Sequence, residues 1–102
     1  MGKVVVSSEA RMDLTRTDAY IREELCNPDA ARRVLDELRK AVASLQSMPE
    51  RGVPLDSVIS VHTEFHVLTC GRYRIFYLIN DDTVEVVRIL HILQNYMNIL
   101  FG

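Results

Sequence analysis

The chain has 102 residues, 48% of them hydrophobic and 25% charged, which is the composition of one small globular core and excludes a wholly disordered protein. A formal net charge of −2 argues against a large nucleic-acid surface held by bulk electrostatics, although ten arginines against two lysines leave room for local anion contacts. No apolar run approaches the length of a transmembrane helix, and two cysteines, Cys26 and Cys70, make neither a disulfide framework nor a zinc ligand set.

Lys3 to Ser7 reads as a short opening strand. The apolar part of this start is too short for a secretory signal, so a cytoplasmic location is expected. Ser7 or Ser8 is the predicted N-cap of a first helix, with Glu9 near its positive end. Ala10, Leu14, Thr17, Ile21 and Leu25 fall at the three-to-four spacing of one helical face, with Tyr20 beside it. Asn27-Pro28 ends that helix and starts the next, because Asn caps well and Pro suits the first helical position. From Asp29 to about Ser47 the residues Ala31, Val34, Leu35, Leu38, Val42 and Leu45 form an apolar stripe. Arg32, Arg33, Arg39 and Lys40 on this helix are interleaved with Asp29, Asp36 and Glu37, the pattern of a solvated face.

Met48 to Pro54 ends the second helix and opens a loop. Three strands are predicted after it: about Val61 to Thr69, Tyr73 to Ile79, and Thr83 to about His91. The middle one is apolar on both faces and should be central. Gly71-Arg72 and Asn80-Asp81-Asp82 supply the turns. Ile92 to Phe101 is apolar and fits either a short helix or an added strand. The order β-α-α-β-β-β implies an α+β fold, an antiparallel sheet with a helical hairpin packed on one face, in one domain spanning residues 1–102.

A two-residue turn at Asp81-Asp82 sets a register in which Arg74, Phe76 and Leu78 share a face with Glu85, Val87, Ile89 and His91. Tyr73, Ile75, Tyr77, Ile79, Val84, Val86, Arg88 and Leu90 then occupy the other. One hairpin covers one face, so the second apolar face is expected to meet the tail, a second copy or a partner chain. His62 and His66 lie four apart on a predicted strand, too widely spaced for a metal pair.

Several segments in fixed order carry a family resemblance. They are Ser8-Glu9-Ala10 with Asp13-Leu14, Tyr20-Ile21, Asn27-Pro28 with Ala30-Ala31, and Leu45 with Met48-Pro49-Glu50-Arg51-Gly52. Gly71-Arg72-Tyr73-Arg74-Ile75-Phe76-Tyr77 and Val84 to His91 complete the set. Together they resemble the RelE/ParE superfamily of bacterial type II toxin–antitoxin (plasmid stabilisation) toxins. The resemblance implies a small stable toxin, encoded beside a labile cognate antitoxin that lays a helix or extended segment across it. A homodimer and a toxin–antitoxin hetero-oligomer both fit.

RelE-like members cleave mRNA in the ribosomal A site, placing Lys and Arg around the scissile phosphate with a general acid or base nearby. The Arg of the family's Tyr-Arg-hydrophobic motif matches Arg74. His66 lies in the strand where the family carries lysine, Leu93-Gln94 stand where a basic pair usually follows, and Tyr96 stands in for the terminal tyrosine a few residues early. His91, expected beside Arg74, is the acid/base candidate with His66. ParE-like members instead poison DNA gyrase and are not enzymes, and Ile89-Leu90-His91 matches their strand end equally. The candidate catalytic set is therefore Arg74, His91, His66 and Tyr96, with either the ribosome and its mRNA or DNA gyrase as target. A toxin-fold binding protein without activity is the third reading. No cofactor, metal or membrane is implied.

Overall fold

In the computed structural model, which describes residues 2–102, the chain runs through five strands and three helices. These are β1 (Lys3–Val6), α1 (Ser8–Ala19), α2 (Pro28–Ser44), β2 (Val53–Pro54), β3 (His66–Cys70), β4 (Tyr73–Asn80), β5 (Thr83–His91) and α3 (Tyr96–Phe101). A π-helical turn, Tyr20–Glu24, continues α1, and a 3-10 turn, Leu55–Ser57, follows β2. The strands form one sheet in the order β1-β5-β4-β3-β2, which makes the two-faced apolar β4 central as expected.

Local chemistry sets the helix starts. Ser7 Oγ accepts the Ala10 N–H at 3.0 Å, and Asn27 Oδ1 accepts the Ala30 N–H at 3.1 Å ahead of Pro28. The first helix does not stay α-helical to Leu25. Its last turn widens to the π form and Cys26 turns the chain at φ 51°, leaving Tyr20 and Leu25 each 56% exposed.

The sheet is mixed rather than antiparallel. β3, β4 and β5 are joined by hairpins, but β1 lies parallel to β5, with Lys3 opposite Thr83 and Val6 opposite Val86. A parallel neighbour needs a long connection, and the helical hairpin that follows β1 supplies the start of one. The Gly71-Arg72 turn forms as expected, with Gly71 at φ 59°. β3 begins at His66 rather than Val61, because the preceding residues are drawn away to cover the sheet.

One face of the sheet packs on the hairpin through Ala10, Leu38, Ala41, Leu45, Leu68, Ile75, Tyr77, Val84, Val86 and Ile89. The other face gathers Leu55, Val67, Phe76 and Leu90 under Ile59, Phe65, Tyr96, Ile99 and Leu100. The second apolar face is thus covered by the chain's own tail, folded as α3, together with the segment before β3. Burial of this kind is worth roughly 1.5–3 kcal/mol for each large side chain.

The expected register holds from Asn80 opposite Thr83 to Tyr77 opposite Val86 and then slips by one residue. A bulge on β5 brings Arg88 opposite Phe76, Ile89 opposite Ile75, Leu90 opposite Arg74 and His91 opposite Tyr73. A one-residue slip exchanges the faces of everything beyond it. Ile89 and His91 therefore look toward the hairpin, and Leu90 joins Arg74 and Phe76. Arg74 therefore does not share a face with His91, and Glu85, which lies on its face opposite Leu78, makes no ion pair with it.

The bulge coincides with the end of β1. Past Val6 the edge of β5 would be bare, and α1 seals it. Ser7 Oγ donates to the Val87 carbonyl at 2.8 Å, and the Ile89 N–H donates to Asp13 Oδ2 at 2.9 Å. Asp13 is 6% exposed and also accepts from Arg88 Nε and Nη2, both at 2.8 Å, a two-pronged pair that raises the Arg88 pKa. Replacing Asp13→Ala should lower stability by about 3–5 kcal/mol in denaturant unfolding, since it strands Arg88 and the Ile89 N–H together. Arg16, exposed and 3.9 Å from Asp13, should cost less than about 1 kcal/mol as Arg16→Ala.

Candidate functional site

β4 places Arg74 on the tail-covered face, opposite Thr69 and Leu90. Its guanidinium lies 5.5 Å from the centre of the Tyr96 ring, and Nη1 donates to the Ile92 carbonyl at 3.4 Å. Tyr96 in turn stacks on Phe76 with ring centres 5.2 Å apart. Phe65 meets Phe101 edge to face at 5.8 Å and ties down the far end of α3. Arg74 makes no ion pair among the described residues, so a full positive charge sits on an aromatic and aliphatic surface. Such a group can take a phosphate or carboxylate in two prongs, or anchor a protein contact.

His91 lies on the other side of the sheet. It borders a cleft of about 890 Å³ between the hairpin and the β3–β4 turn, lined by Tyr20, Leu25, Cys70, Arg72 and Tyr73 among others. Tyr73 meets the His91 ring edge to face at 5.1 Å. The Leu93 N–H donates to His91 Nδ1 at 3.1 Å, which assigns the proton of the neutral ring to Nε2. The Gln94 side-chain oxygen accepts the His91 N–H at 2.8 Å and closes the turn after β5. Burial pushes the Cys70 thiol and the Tyr73 hydroxyl above their ordinary values, with Glu37 adding to the rise at Cys70. Cys70 is therefore a thiol, not a nucleophilic thiolate, at neutral pH.

His66 occupies a third place. It stacks on Tyr77 at 5.4 Å, with Nε2 3.8 Å from Glu50 and Nδ1 buried without a partner among the described residues. His62 falls outside the strand, between Asp56 at 3.2 Å and Glu64 at 3.4 Å. Of the four expected residues, the fold brings Arg74 and Tyr96 together and leaves His91 and His66 apart from them and from each other. Stabilising charge on a phosphate and moving a proton beside it require both groups within reach of one atom. Only the Tyr96 phenol, of the four candidates, accompanies Arg74.

The Asp13–Arg88 pair was not foreseen as a unit. A signal for it existed, since Asp13 interrupts the apolar face that Ala10 and Leu14 define, but its partner is 75 positions away.

A protein-family model described as the ParE toxin of the type II toxin–antitoxin system, parDE, matches residues 4–96. Among solved structures the chain is similar to one from a chromosomal ParDE TA system of P. aeruginosa. That match has 17% sequence identity and a TM-score of 0.75, and covers 89% of this chain and 96% of that one. The toxin–antitoxin complex RelBE2 from Mycobacterium tuberculosis is similar at 22% identity and a TM-score of 0.64, covering 88% of this chain and 96% of that one. YafQ from E. coli is similar at 14% identity and a TM-score of 0.50, over 100% of each chain. No curated protein sequence matches. At these identities the structures establish the shared fold, α+β with the hairpin on one face. No helix among the described residues is long and apolar enough to cross a membrane.

Tyr77, on which His66 rests, holds the loop before β2: its hydroxyl donates to the Pro49 carbonyl at 2.8 Å and accepts the Gly52 N–H at 3.0 Å. Burial raises its pKa above the ordinary 10.0. The folded value exceeds the unfolded one, so this stability is complete below about pH 10 and is lost as pH rises through the folded value. Tyr77→Phe should cost about 1–3 kcal/mol near neutrality and flatten the alkaline fall of the melting temperature, leaving the share due to Tyr73.

Proposed function

Because the chain belongs to the ParE toxin family of type II toxin–antitoxin systems, we propose that it arrests growth by binding its target rather than by cutting RNA. The observation that carries this reading is the separation of Arg74 from both histidines by the sheet. Cleavage through a ribose 2′-hydroxyl needs an imidazole or equivalent base at the phosphate that Arg74 would hold. Here His91 faces the hairpin, its Nδ1 engaged by Leu93, and His66 rests on Tyr77. The net charge of −2 supports the same reading, since a ribosome-directed nuclease works against dense phosphate.

What Arg74 offers instead is a contact. An arginine beside the half-buried Tyr96 ring and the apolar residues of α3 is the composition on which protein interfaces concentrate their energy. DNA gyrase, the target that the ParE-like resemblance implies, is the proposed recipient. The cognate antitoxin is the proposed partner that holds the toxin inactive.

Induced expression in a bacterial host tests this. Growth arrest with trapped gyrase–DNA breaks is expected. His91→Ala and His66→Ala should arrest as the parent does, Tyr96→Ala should weaken the arrest, and the antitoxin encoded alongside should restore growth. Arrest that is lost in His91→Ala, with no gyrase breaks in the parent, would overturn the reading.

A further inference from the structure

The cleft between the hairpin and the β3–β4 turn has no part in the contact proposed for Arg74, which lies across the sheet. Its hairpin wall is apolar, and the backbone there is built to keep it open. A regular α-helix would carry Leu25 on the same stripe as Leu14 and Ile21, turned toward the core. The π-helical turn and the left-handed Cys26, at φ 51°, instead leave Tyr20 and Leu25 each 56% exposed at the cleft. Such turns cost hydrogen-bond geometry and recur where a helix serves a site. Val34 of α2 completes this wall.

The sheet side supplies polar groups, and they converge. Tyr73 and His91 are cross-strand partners with ring centres 5.1 Å apart, and Arg72 precedes Tyr73 in the chain. Burial, with Tyr20 nearby, keeps the Tyr73 hydroxyl protonated at neutral pH, and the neutral His91 ring carries its proton on Nε2. Neither donor has a hydrogen-bond partner among the described residues. Arg16 already stands 3.9 Å from Asp13, whereas Arg72 makes no ion pair among the described residues. Glu37 also lines the cleft without an ion pair, so a ligand bearing two negative charges would meet repulsion.

We propose that this cleft binds a small aromatic carboxylate. Its rings lie against Tyr20, Leu25 and Val34, and its single charge takes the Arg72 fork with the Tyr73 hydroxyl and His91 Nε2–H donating beside it. A cleft of about 890 Å³ is of the size that holds small molecules. A flat apolar body with one anionic end matches one apolar wall and one wall of donors.

The test titrates naphthoate, and separately its neutral isostere naphthamide, into the full chain while residue-resolved NMR shifts are followed. Naphthoate should shift Val34, Arg72, Tyr73 and His91 to saturation and bind about tenfold or more tighter than the amide. Arg72→Gln should remove that advantage and leave the affinity for the amide unchanged. Tyr20→Ala should weaken both probes alike, and melting curves check that each variant is folded. Equal affinity for the two probes, shifts confined to the Arg74 face, or no saturation by millimolar naphthoate would overturn the proposal. Shifts at Leu25 and Leu93 that depend on protein concentration without any probe would assign the cleft to a second copy instead. None of these readouts involves gyrase or growth, so this proposal and the reading above fail separately.

Discussion

The Asp13 carboxylate is the group on which the arrangement of both sheet faces depends. β1 ends at Val6 while β5 continues to His91, so half of β5 would face water with open backbone groups. Asp13 takes the Ile89 N–H and the Arg88 fork, and Ser7 takes the Val87 carbonyl. α1 thereby replaces the missing strand. A buried carboxylate loses much hydration, and three donors at 2.8 to 2.9 Å offset that loss. What the pair contributes beyond stability is geometry, because it holds the bulge in place and with it the register of every residue from Arg88 to His91.

That register decides which of the candidate residues share a face. With the bulge, Arg74 meets Leu90, Phe76 and Tyr96 under the tail, and His91 meets Tyr73 across the sheet. Without it, Arg74 and His91 would lie on one face, the arrangement that the uninterrupted alternation of β5 suggested and that a nuclease would use. The consequences extend to the tail. Once Leu90 turns toward Phe76, the face beneath α3 becomes a continuous apolar bed, and Tyr96, Ile99 and Leu100 cover it.

Much of the architecture was legible because its signals are local. Ser7 and Asn27 cap the helices they were expected to cap, and Gly71 and Asp81 take the left-handed conformations of their turns. The family resemblance was legible in the same way, as short motifs in fixed order. The bulge was not, since Val86-Val87 are both apolar and either could be read as facing the core. The parallel placement of β1 and the Asp13–Arg88 pair were not legible because they join residues some 75 to 80 positions apart. The tail was ambiguous for a physical reason. Tyr, Ile, Leu and Phe suit a strand as well as a helix, and the Asn95 cap on Asn98 settles the matter only once the sheet face is there to receive it.

The proposed binding role, without RNA cleavage, rests on the sheet holding Arg74 apart from His91 and His66. The most direct measurement adds the purified protein to ribosomes paused on a defined mRNA with an empty A site and maps the message ends. Intact message at every codon is expected. Cuts phased with the A site, and abolished by Arg74→Ala, would contradict it.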